Sequence, residues 1–113
     1  MEDYLHNDVA SEIIIAFYSV INKFGNGKEL TEYAELIKTE LINRELEVKN
    51  LSKTCKENMI ICEKVFIKIS VNEDLSNEDE IQFFRELKTI GVSVGLLLNF
   101  ASVPEVKRKV YVK

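Results

Sequence analysis

One histidine in 113 residues, His6, leaves no material for a histidine-dependent catalytic triad or for a metal site built on imidazole. The two cysteines, Cys55 and Cys62, stand seven positions apart with no Cys/His cluster around them. That spacing argues against a zinc site or a disulfide framework and reads as reduced thiols, so a cytoplasmic protein is expected. Cys62 has no cationic helix end or histidine beside it to activate it and is read as inert. No apolar run approaches the roughly 18 residues of a membrane span. The opening Met1-Glu2-Asp3 has neither a basic stretch nor an apolar one behind it, so no signal peptide is expected. Cations are outnumbered, 15 Lys and Arg against 19 Asp and Glu, for a net charge of −4. The overall positive field of a typical nucleic-acid binder is therefore missing, and only a local patch remains to be sought. Internal repeats, low-complexity tracts and linkers are also lacking.

What is present is an ordinary globular composition, 46% apolar and 30% charged. A chain of this length forms one domain and buries roughly 65% of the surface its unfolded form exposes. Residues 1–7 read as an N-terminal tail and 8–113 as the domain. Val9, Ile13, Ala16, Phe17, Val20, Ile21 and Phe24 recur at helical spacing and predict a helix over about Asp8–Phe24. Gly25-Asn26-Gly27 ends it. A second helix, about Lys28–Glu45, carries Leu30, Tyr33, Ala34, Ile37 and Leu41 on one face. The short connection makes the two helices neighbours.

A strand is expected to begin at Leu46–Lys49, followed by a loop over Ser52–Glu57. Residues 58–70 then read as a β-hairpin, with β-branched arms Met59–Cys62 and Val65–Ile69 around the polar turn Glu63-Lys64. Ser76-Asn77-Glu78-Asp79-Glu80 is rich in helix-start signals, and a third helix follows over about Asn77–Ile90. Ile81, Phe83, Phe84, Leu87 and Ile90 lie on its broad apolar side, with both phenylalanines read as core, and Gln82 points away. Val92–Phe100 is almost unbroken hydrophobe, which predicts a strand buried on both faces and central in the sheet, and Gly95 within it predicts a close approach by another element. From Val106 to Lys113, valines alternate with lysines in a half-exposed strand. The order is α-α-β-β-β-α-β-β, an α/β domain with a mixed, helix-backed sheet.

Gly27-Lys28-Glu29-Leu30-Thr31-Glu32-Tyr33 resembles the signature of the small GxxExxY proteins. Leu87–Phe100, with its Val94-Gly95-Leu96-Leu97-Leu98-Asn99-Phe100, resembles that family's closing helix and strand, and Lys107-Arg108 its usual ending. The likeness covers about residues 11–113. It implies the restriction-endonuclease-like fold of the PD-(D/E)xK superfamily. It also implies a Mg²⁺ site with an Asp on the first hairpin strand and a Glu-x-Lys on the second, where metal and lysine activate water against a phosphodiester. On that resemblance the Asp position is Asn58, the Glu position Lys68 and the Lys position Ser70. The Glu of the signature itself falls on Leu30. Gln82 stays in register.

Both anionic ligands are thus replaced, one of them by a cation, and the expectation is a catalytically inactive domain with no cofactor. The dissenting reading relocates the carboxylates to Glu57, Glu63, Glu78 or Glu80. Against it, Glu57 adjoins Asn58 and is expected on the other side of the strand, and Glu63 lies in the turn. Lys107, Arg108, Lys109 and Lys113 form a basic cluster that would suit a phosphate backbone. Its plainer reading is an edge strand protected by charge against aggregation. Lys68 and Ser70 read either as a small anion site or, more plainly, as a salt-bridged lysine beside a serine. By elimination the expected partner is a protein or a second copy of the chain, with nucleic acid as the alternative and no membrane.

Overall fold

The computed structural model describes residues 6–112. The stripe that begins at Val9 folds as α1 (Asn7–Phe24) and buries Val9, Ala10, Ile13, Ala16, Phe17 and Val20. Gly25 takes a left-handed backbone, φ 73°, and its N–H closes the helix on the Ile21 carbonyl. Helix α2 (Leu30–Asn43) starts two residues later than expected. The reason is local: Glu32 Oε1 accepts from the Glu29 N–H at 3.0 Å, which makes Glu29 the cap. It also ends earlier, because Glu45 turns left-handed at φ 66°. Burial alone would raise the Glu40 carboxyl. Its hydrogen bonds from Lys23 and Arg44 outweigh that and hold it below the usual range, which knits α1 to the end of α2.

Five strands follow as β1 (Val48–Asn50), β2 (Asn58–Ile61), β3 (Val65–Ser70), β4 (Val94–Asn99) and β5 (Glu105–Val110), with α3 (Asn77–Ile90) between β3 and β4. The element order matches the sequence reading. The sheet runs β1-β2-β3-β4-β5, antiparallel except for the parallel pair β3–β4. The buried strand β4 is an inner strand, and the middle place belongs to β3. β1 sits two residues later than expected, and β5 ends at Val110.

The sheet separates two cores. On one face Met59, Ile61, Val65, Ile67, Ile69, Leu96, Leu98 and Phe100 meet α1 and α2. On the other, Phe66 and Leu97 meet Phe83 and Leu87 of α3. Gly95 lies beneath that helix. A Cβ there would stand 2.9 Å from Phe83 Cζ, the close approach its position implied. Phe84, expected in the core with Phe83, is only half-buried, and its ring lies edge-on to Tyr111 at 6.1 Å. Phe100 joins the halves of the first core, stacked on Tyr33 at 4.2 Å and edge-on to Phe17 at 4.7 Å. The Tyr33 hydroxyl donates to the Gly25 carbonyl at 2.7 Å, so the motif Gly27–Tyr33 pins the α1–α2 connection.

Candidate functional site

Alternation along β2 and β3 sends Asn58 and Lys68, which pair across the two strands, to the face that α3 covers. Ser70 lies two residues further along the same face, beside Asn99 of β4. Gln82, exposed on the first half of α3, lines two shallow clefts that open there. One, of about 120 Å³, is bordered by Lys68, Ser70, Asn72 and Asp79. The other, of about 290 Å³, is bordered by Asn58, Arg85, Glu86 and Thr89. Asn58, Lys68 and Ser70 therefore gather on the sheet face beneath α3, with Gln82 on the helix at its edge.

Each is engaged differently. Lys68 Nζ donates to both oxygens of Glu86 at 3.0 Å, in a half-buried ion pair between strand and helix. Ser70 Oγ donates to Asn99 Oδ1 at 2.7 Å. Asn99 is 1% exposed, and its amide also accepts from the Asn72 N–H and donates to the Asn72 carbonyl, so it fastens the start of the 71–76 loop. Asn58 Nδ2 reaches Cys55 Sγ at 3.5 Å, while its Oδ1 is buried with no hydrogen-bond partner. Leaving such an oxygen unpaired costs about 1–3 kcal/mol.

Two carboxylates belong here, Glu86, which the sequence reading passed over, and Glu57, which it put on the other side of the strand. Glu86 lies one helical turn beyond Gln82, and that i, i+4 spacing was the available signal. Glu57 corrects an expectation. It precedes the first residue of β2, and although its carbonyl still accepts from the Ile69 N–H at 2.9 Å, its side chain turns to Cys55. Its Oε2 accepts from Cys55 Sγ at 3.2 Å on the Asn58 side. That hydrogen bond, together with burial and the nearby carboxylate charge, pushes the Cys55 thiol up. Asp79 caps α3 from within, accepting from the Ser76 N–H at 2.9 Å, and its carboxyl is lowered for that reason. Glu63 and Glu78 are solvent-exposed. Among the described residues, no three His, Cys, Asp or Glu side chains come together as metal ligands would.

The basic strand is not a bare row of charges. Glu80 of α3 accepts from Lys109 Nζ at 2.7 Å and pairs with Lys107 Nζ at 3.7 Å, and Lys107 also meets Glu105 at 3.8 Å. The Lys109 hydrogen bond chiefly holds the Glu80 carboxyl below its ordinary value, against the opposing effect of burial. Arg108 follows on the opposite face of β5, and Lys113 lies outside the described residues. A second gathering of cations escaped the sequence because Lys38, on α2, is apart in the chain from Lys53 and Lys56. Lys38, Lys53 and Lys56, with Glu35, border a concavity of about 400 Å³ beside β1.

Among family models, one described as the PD-(D/E)XK nuclease superfamily matches residues 7–110. No curated protein and no solved structure matches the chain.

Proposed function

The chain belongs to the PD-(D/E)XK nuclease superfamily, and from that premise we propose that it is a divergent, GxxExxY-like member that has kept the fold without the hydrolysis and serves as a binding or structural subunit. The observation that carries this reading is the Lys68–Glu86 ion pair. It sets an ammonium group where the family would hold a metal-ligating carboxylate, and it occupies both oxygens of Glu86. Asn58 contributes only a neutral oxygen, and Ser70 spends its hydroxyl on Asn99. Mg²⁺ demands oxygen ligands with negative charge among them, and these side chains as they stand do not fit it. The net charge of −4 supports a protein partner over a nucleic acid.

The unpartnered Asn58 Oδ1 favours the opposing reading, a metal-dependent nuclease whose ligands have moved to Glu57 and Glu86. A cleavage assay separates the two. The purified chain is incubated with single- and double-stranded DNA and RNA in Mg²⁺ and in Mn²⁺. We expect no cutting above the buffer level. Metal-stimulated cutting that disappears in Glu86→Gln or Glu57→Gln would reverse the assignment.

A further inference from the structure

The sheet ends at β5, and no strand pairs with its outer side among the described residues. The backbone directions there follow from one hydrogen bond. Tyr111 N–H donates to the Ser93 carbonyl across the β4–β5 pair at 2.7 Å. Hydrogen-bonded and non-hydrogen-bonded positions alternate in an antiparallel ladder, so Lys109, Lys107 and Glu105 point their amides at β4. Val106 and Val110 point theirs outward, along an edge six residues long.

Beside that edge runs a groove of about 650 Å³ between α3 and β5. Its floor is apolar. Ile81 is 50% exposed, and Phe84 lies half-buried with Lys88 Nζ 5.5 Å above its ring and 5.9 Å from the Tyr111 ring. Its rim is cationic: Arg85, Lys88 and Lys109 against the single acid Glu80, which Lys109 already holds. On a protein of net charge −4 this is a local reversal of sign.

We propose that the β5 edge and the α3 groove together take up an extended, acidic segment of another protein. The segment adds a sixth strand, and its groove-facing side chains are aliphatic and carboxylate. This rests on the binding-subunit reading above and names the surface and chemistry of the partner. Main-chain hydrogen bonds to Val106 and Val110 supply the docking, while Ile81 and Phe84 with the surrounding cations select the side chains. Charge decides against a second copy of the chain. Two β5 strands laid edge to edge bring Lys107, Arg108 and Lys109 against the same run, and like charges across a strand pair are destabilising. An acidic strand turns that repulsion into attraction.

The test is a selection from a displayed library of random linear peptides against the full chain. The enriched sequences are then made with a fluorophore and titrated by anisotropy against wild type, Ile81→Asp and Val110→Pro. The first variant places a charge on the exposed groove floor. The second removes an outward amide while leaving the β4 ladder intact, and thermal melts confirm that each remains folded. The expected result is enrichment of peptides with several carboxylates among aliphatic residues. Their binding weakens with salt and falls by about tenfold or more in both variants. Absence of enrichment, or enrichment of peptides lacking acids, overturns the proposal. So do acidic peptides that bind both variants as they bind wild type, although in that case the chain still binds a partner. Nuclease activity in the separate assay is what would remove the reading beneath it.

Discussion

The thiol of Cys55 donates to Glu57 and touches the Asn58 amide, so its ionisation reports on the polar pocket beside Lys68. The Glu57 hydrogen bond stabilises the protonated thiol, and burial acts the same way, so alkylation is expected to be slow at pH 8. In a Cys62→Ser background, the midpoint of the iodoacetamide rate profile should lie above the ordinary value of 9.0. Glu57→Gln should move that midpoint down and raise the rate at pH 8 by several-fold. An unchanged profile would show that the two side chains do not meet in solution. The pairing was not legible in the sequence, where Glu57 was assigned by alternation to a strand that begins one residue later. Asn58, Lys68, Ser70 and Gln82 were singled out by the family resemblance, and strand alternation is what turns the first three to one face. Glu86 was marked only by its i, i+4 spacing from Gln82, which does not say which lysine it will meet across 18 residues.

At the scale of elements, the hairpin turn is where pattern and geometry part. The polar pair Glu63-Lys64 was the expected turn, but the left-handed residues are Cys62 and Glu63, at φ 54° and 58°, and the Lys64 N–H closes on the Ile61 carbonyl. Two successive positive φ values are the geometry of a type I′ turn, which favours Asn-Gly and is costly for other side chains. Glu63→Gly should therefore stabilise the protein by about 1 kcal/mol, seen as a rise of several degrees in thermal midpoint. A fall would mean that the Glu63 side chain contributes more than its backbone costs. Polarity located the turn, yet polarity alone does not say which of its residues must go left-handed. Helix boundaries shifted for a similar reason, since a cap such as Glu29 is fixed by one side-chain hydrogen bond. The order of the elements was readable because helical and strand periodicities differ throughout. The burial of β4 was equally plain, from a run of Val, Leu and Gly with little to expose.

Across the whole molecule, on the reading proposed above, the residues that chiefly hold the fold stand apart from those at the family's metal positions. Gly95 under Phe83, Phe100 between Phe17 and Tyr33, and Asn99 fastening the 71–76 loop are all occupied in structure. On that same reading, Asn58, Lys68 and Ser70 take the positions of the family's ligands and are tied to that frame through the Lys68–Glu86 pair and the Ser70–Asn99 hydrogen bond. If that separation holds, ligands put back should find their geometry waiting. The triple variant Asn58→Asp, Lys68→Glu, Ser70→Lys removes the Lys68–Glu86 ion pair and sets a carboxylate at position 68 against Glu86. Without metal it should melt below wild type, because like charges meet in a half-buried cleft and Asn99 loses the Ser70 hydroxyl. A divalent cation reverses the sign of that effect. At metal concentrations near 100 times the dissociation constant, binding to the folded state adds about 2.7 kcal/mol. Millimolar Mn²⁺ should then raise the melting temperature of the variant by several degrees and leave wild type where it was. A variant that folds but ignores Mn²⁺ would place the divergence in the spacing of β2, β3 and α3 themselves. A wild type that responds would mean that Asn58 Oδ1 and Glu86 already hold a metal, and that the ion pair gives way to it.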